Sequence, residues 1–175
     1  MFRSIAYTCG FMAVCLAAAS VAYAQESTNR VDAKTDWSIF VEDQPVKECW
    51  VVSKPTKIVN TRGGKVVTAK RSDILFFVTY RPSNGVRGEI SFTGGYPFAK
   101  DSQVGLQVGN TSYSLSVDGE WAWPTPSDDA KIRKSMQGGS SAVLTAHSKR
   151  GTNTKDTFSL NGFTAALAEA EKRCL

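Results

Sequence analysis

Val104-Gly105-Leu106-Gln107-Val108-Gly109-Asn110-Thr111-Ser112-Tyr113-Ser114-Leu115-Ser116-Val117 is the stretch on which the architecture turns. Val104, Leu106 and Val108 alternate with small or polar residues. Gly109-Asn110 is a two-residue turn signal. On the return, Tyr113, Leu115 and Val117 alternate with Ser112, Ser114 and Ser116. Pairing through that turn sets Leu106 opposite Tyr113 and Val104 opposite Leu115, so both apolar sets fall on one face. The spacing predicts an antiparallel hairpin with its apolar face in a core.

The next turn leaves two registers open. A two-residue loop at Asp118-Gly119 puts Trp121 and Trp123 on the serine face, where they form an aromatic contact surface for a glycan or another partner. A loop of Val117-Asp118-Gly119, with Gly119 as a bulge, puts both tryptophans in the core. Burying an indole is worth about 1.5–3 kcal/mol, which favours the bulged register.

The same grammar runs both ways from the hairpin. Short apolar runs recur every 8–12 residues between Gly, Pro, Asn and Asp, as in an antiparallel β-sandwich. Trp37, Ile39 and Val41 share a strand face. Cys49–Val52 is a short run closed by Pro55, and Lys65–Lys70 follows a Gly63-Gly64 turn. Ile74–Tyr80 reads as a central strand buried on both faces. A strand over 86–92 turns Val86, Ile90 and Phe92 inward. Two more strands are expected around 142–147 and 155–160. A short helix is expected near 127–137, capped by Ser127, with Asp128 and Asp129 at its positive end and Ile132 and Met136 facing the sheet. A C-terminal helix from about 162 to 173 carries Phe163, Ala166, Leu167, Ala170 and Cys174 on one stripe. The fold expected is mainly β: one sandwich domain over residues 36–175, after a flexible lead-in at 25–35.

Residues 1–24 read as a secretory signal: Arg3, an apolar stretch from Ile5 to Val21, and the cleavage pattern Ala22-Tyr23-Ala24. No second hydrophobic span follows. The whole chain has 175 residues, with 21 basic and 16 acidic. Cleavage leaves 151 residues, 20 of them basic and 16 acidic, and two cysteines, Cys49 and Cys174. In an oxidising compartment such a pair reads as one disulfide. It would close a loop of 125 residues, worth about 4–5 kcal/mol in the chain-entropy model. Two thiolates are too few for a structural zinc site.

Chemistry is sparse. His147 is the sole histidine, flanked by Ala146 and Ser148, and no nucleophile or orienting carboxylate stands at a telling distance. Asp128-Asp129 fits a helix start, and Glu169 and Glu171 a solvated helix face, better than a glycosidase acid pair. No phosphate-binding glycine loop occurs. No catalytic residue, metal set or cofactor is therefore assigned.

The positive charge is local. Lys54, Lys57, Arg62, Lys65, Lys70 and Arg71 fall in 18 residues without an Asp or Glu. These six exceed the net charge of the whole cleaved chain. A basic face of this kind attracts anionic lipid, lipopolysaccharide phosphates, an acidic glycan or an acidic host or envelope protein. Without aromatic interleaving, nucleic acid is not expected. The plainer reading is an edge strand whose lysines discourage sheet-to-sheet pairing. Lys149-Arg150-Gly151 forms a second basic tip.

Several local patterns coincide: Asp36-Trp37-Ser38-Ile39-Phe40; Pro45 with Cys49-Trp50, Ser53 and Pro55; Trp121-Ala122-Trp123-Pro124; Met136 with Gly138-Gly139; Ser148-Lys149-Arg150-Gly151-Thr152; and Asp156-Thr157-Phe158-Ser159-Leu160 with Gly162-Phe163, ending in Cys174. Together they resemble the invasion-associated locus B family over nearly all of the cleaved chain. The resemblance implies a small, exported, mainly β protein of Gram-negative bacteria, in the periplasm or outer envelope or released from the cell. The cysteine pair matches the family's pattern. No catalytic residue or cofactor carries over. The expected function is non-enzymatic binding of an anionic partner or envelope component through the basic face. The alternatives are a periplasmic assembly or chaperone-like protein docking through Trp121 and Trp123, and a hydrolase built on His147 or a carboxylate pair.

Overall fold

The computed structural model describes residues 29–175. The predicted signal and residues 25–28 lie outside that range. Twelve strands among the described residues form one antiparallel sheet. In spatial order, β1 (Arg30–Lys34), β2 (Trp37–Glu42), β3 (Glu48–Ser53), β6 (Leu75–Arg81), β7 (Val86–Thr93) and β10 (Trp121–Trp123) come first. Then follow β9 (Thr111–Asp118), β8 (Gln103–Val108), β11 (Ser141–His147), β12 (Asn153–Ser159), β4 (Lys57–Arg62) and β5 (Lys65–Val66).

The sheet doubles back on itself, so its two halves make the two layers of a sandwich. Phe158 of β12 meets Phe76 of β6 at 5.4 Å and Phe92 of β7 edge-on at 6.1 Å. Trp37 of β2 reaches the far layer, its Nε1–H donating to the Ser159 carbonyl at 3.0 Å. The core between the layers comes from strand alternation: Trp37 and Ile39, Val104, Leu106 and Val108, and Leu115 all point inward and are buried.

Most elements fall where the periodicity puts them. The hairpin of β8 and β9 has the expected register, with Leu106 opposite Tyr113 and Val104 opposite Leu115. Helix α1 spans Pro126–Gly138 and buries Ile132 and Met136. Its cap is Thr125, not Ser127. Pro126 takes the first helical position, where its missing N–H costs nothing. Asp129 fastens the helix to the sheet by accepting the Ile90 N–H at 2.9 Å. Helix α2 (Phe163–Cys174) buries the predicted stripe of Phe163, Ala166, Leu167, Ala170 and Cys174. It lies over β2 and β3. There Cys174 is bonded to Cys49, with Cα atoms 5.9 Å apart.

Four further expectations need correction. Residues 30–34 are not a flexible lead-in; they form β1, paired to β2, so the sandwich begins ahead of residue 36. The Lys65–Lys70 run is a strand only over Lys65–Val66, because the chain then leaves the edge to cross to β6. The β6 strand is core on one side only. Phe76, Val78 and Tyr80 are fully buried, whereas Leu75 and Phe77 are half-buried on the outer face.

The fourth concerns the turn after β9, which follows neither register considered. Asp118 pairs with Trp121, Ala122 with Val117 and Trp123 with Ser116, so the loop is Gly119-Glu120. Gly119 has φ +58° at the first central position, as a II′-type loop asks. The small Ala122 goes to the core and the indoles do not. Trp121 and Trp123 therefore stand on the serine face, and Trp121 is 39% exposed.

Candidate functional site

The six cations of the 54–71 segment are not one surface. Arg71 belongs to the interior, its side chain only 5% exposed. Its Nη1 and Nη2 donate to the two oxygens of Asp156 at 2.7 and 2.6 Å. Nε donates to the Gly94 carbonyl at 2.8 Å and Nη1 also to Asn60 at 3.2 Å. The guanidinium lies 5.0 Å from the Tyr96 ring centre. Burial pushes the Asp156 carboxyl up, and the Arg71 charge opposes that shift. Arg71 holds the sandwich together: its side chain is buried and four of its five N–H groups are engaged within the fold, which corrects its assignment to the anion-binding set.

Lys54 lies elsewhere, beside the mouth of a groove on the other layer, 3.7 Å from Asp73. Lys57, Arg62, Lys65 and Lys70 remain exposed on or next to the β4–β5 edge. None of them enters an ion pair among the described residues. Arg62 donates to the Thr152 hydroxyl at 2.7 Å. That bond brings the hairpin tip beside the turn carrying Lys149 and Arg150, a neighbourhood the sequence did not show.

The outer face of the β2–β3–β6–β7–β10 layer carries a second surface. Strand parity places Phe40, Trp50, Val52, Leu75 and Phe77 there, on the side away from the core. Phe40 and Trp50, opposite each other on β2 and β3, stack at 5.3 Å with planes 1° apart. Trp121 meets Phe77 at 5.7 Å and Trp123 at 6.1 Å. Two adjoining concavities share Trp50 and Phe77. One is a trough of about 940 Å³ running over Val52 and Leu75 towards Asp36. The other is a slot of about 340 Å³ between Trp50 and the Trp121–Trp123 pair. At the slot's end Arg81 bridges Glu48 at 3.2 Å and Glu89 at 2.5 Å. Of these aromatics, only Trp121 and Trp123 were singled out from sequence. Phe40 and Trp50 had a usable signal, since each occupies the outward phase of a strand whose inward phase is already apolar.

The catalytic alternatives find these surroundings. His147 is exposed on β11 and its Nδ1 lies 2.7 Å from Asn153 Oδ1 across the hairpin. Asp128 pairs with Lys131 at 2.7 Å and Asp129 with the β7 backbone. Glu171 accepts from the Tyr80 hydroxyl at 2.9 Å. Among the described residues, no group of three or more His, Cys, Asp or Glu is placed to hold a metal ion, and no helix is long and apolar enough to cross a membrane.

A continuous antiparallel sheet folded into a sandwich, with a C-terminal helix bonded across one layer, defines a small disulfide-tied β protein with its candidate surfaces on sheet faces and edges. The chain belongs to the invasion associated locus B (IalB) family, whose profile matches residues 37–171. The crystal structure of invasion associated protein B from Bartonella henselae is similar, with a TM-score of 0.56 at 17% sequence identity. That likeness covers 81% of this chain and 95% of the other and bears on the fold alone. No curated protein matches the chain.

Proposed function

We propose that this chain is an exported, non-enzymatic binding protein of the bacterial envelope, located in the periplasm or at the outer surface or released. Its β4–β5 edge engages an anionic partner: lipopolysaccharide phosphates, anionic lipid head groups or an acidic glycan. The observation that carries this reading is the set of four exposed cations, Lys57, Arg62, Lys65 and Lys70, without a carboxylate partner among the described residues. Unpaired charges keep their field for a ligand, whereas Arg71 and Lys54 have theirs taken up by Asp156 and Asp73. The signal-like leader and the family membership agree with export.

Binding to vesicles containing lipopolysaccharide or phosphatidylglycerol, against neutral vesicles, tests it. The triple change Lys57→Glu, Lys65→Glu, Lys70→Glu should weaken binding at least about tenfold, roughly 1.4 kcal/mol. Wild-type binding should fall as salt shortens the screening length. Equal binding by the triple variant, or binding insensitive to salt, would sink the reading.

A further inference from the structure

The aromatic slot on the opposite layer has no part in the basic-edge reading. We propose that it is a binding site for an uncharged oligosaccharide, with one pyranose ring seated between Trp50 and the Trp121–Trp123 pair and neighbouring rings running into the trough.

Four observations carry this. First, the face is apolar where a solvated sheet face is normally polar, and large apolar faces rimmed by polar groups mark binding surfaces. Second, the walls are indole and phenyl rings. An aromatic face is electron-rich and attracts the polarised C–H groups of a pyranose face. Third, the polar groups at the slot are planar and paired with one another. Arg81 is held between Glu48 and Glu89, so its fork and the two carboxylates present ordered donors and acceptors to a rim of hydroxyls, and charge-assisted hydrogen bonds are the stronger kind.

Fourth, the charge balance selects against ions. The slot and trough are bordered by Arg30, Lys54 and Arg81 against Asp36, Glu48, Asp73 and Glu89. Lys54 pairs with Asp73, and Arg81 with both glutamates. The site is thus close to neutral in a chain with an excess of positive charge, and an anion gains nothing there that the β4–β5 edge does not offer better. An acyl chain would leave the Glu48–Arg81–Glu89 cluster covered and without water, at a cost that apolar contact does not return. A peptide strand that extended the sheet would pair along the outer edge of β1, which does not line the slot between Trp50 and the Trp121–Trp123 pair. Taken singly, the slot of about 340 Å³ and the trough of about 940 Å³ are each in the range of ordinary ligand sites.

The purified protein is titrated with cellotetraose, maltotetraose and tetra-N-acetylchitotetraose, followed by calorimetry and intrinsic fluorescence. Three of the four tryptophans, Trp50, Trp121 and Trp123, lie at the slot, and Trp37 is buried. At least one saccharide should bind, shift the emission and shield the tryptophans from acrylamide, equally at low and high salt. Trp121→Ala should weaken that binding about tenfold or more without moving the thermal midpoint, and the lysine-to-glutamate triple variant should bind as wild type. Should Trp121→Ala not fold, Trp123→Ala takes its place, and the shielding measurement needs no variant. Failure of all three saccharides to bind overturns the proposal. So does binding unaffected by Trp121→Ala or Trp123→Ala, binding that salt or the triple variant removes, or a dimer of the protein that Trp121→Ala dissolves. Failure of the wild-type protein to bind anionic vesicles, with saccharide binding intact, would defeat the basic-edge reading alone.

Discussion

At the scale of single residues, Arg71 and Asp156 show how charge is assigned its task. Asp156 sits in phase with Thr154 and Phe158 on β12, all three facing inward and buried. A carboxylate on the core side of a strand needs a cation, so the sequence carried a sign that some lysine or arginine must be withdrawn from the surface. Which one was not legible, because Arg71 lies 85 residues away and no local pattern links the two. The pair spans the sandwich, since Arg71 also holds the Gly94 carbonyl at the end of β7. Arg71→Ala should cost about 3–5 kcal/mol, because it strands a buried charge. Replacing both partners together, Arg71→Met with Asp156→Leu, should cost far less. Urea unfolding of the two variants checks this, and equal losses would show that the pairing is not what matters.

Among the elements, α2 is the best anticipated and the β9–β10 hairpin the worst. The α2 stripe repeats every three to four residues, and periodicity alone names its buried face. Its start is set by Gly162 at φ +85°, where an added Cβ would stand 2.0 Å from the Lys34 carbonyl oxygen. That approach arises because β1, expected to be loose chain, packs under the helix start. Gly162→Ala should therefore lower stability by at least about 1–3 kcal/mol, read as a fall in the chemical denaturation midpoint. A neutral result would mean that β1 yields readily. The hairpin departs from expectation because burial in the core is not the only cover open to an indole. The two-residue Gly119-Glu120 loop puts Ala122 inward instead, and the indoles find cover against Phe77 and each other on the outer face.

Across the whole molecule, the Cys49–Cys174 bond joins the last turn of α2 to a strand near the start of the chain. Both cysteines are buried. The bond closes almost the full length of the sandwich, so its loss frees the unfolded chain more than a short-range bridge would. Cys174→Ala should lower stability by about 2–5 kcal/mol, and a reductant should lower the thermal midpoint of the wild type but not of the variant. A reductant with no effect on the wild type would remove the bond from the account of stability. The same architecture separates two chemistries. Cations without partners among the described residues gather at the β4–β5 edge, while a near-neutral aromatic face forms on the other layer, so the two proposed binding surfaces do not overlap.

Local physics was enough for much of this. Alternation with period two marked the strands, and a helical stripe marked α2. Turn residues placed most of the breaks, and a lone cysteine pair after a signal-like leader implied a bridge. These signals live within a few residues of one another and survive without knowledge of what the chain folds against. The use of each surface was settled only by contacts between distant segments. Those contacts took Arg71 into the core and Lys54 to the groove, and they aligned outward aromatics from β2, β3, β6 and β10 into one face. A strand's own pattern says which residues share a side, but the strands that lie beside it decide what that side becomes.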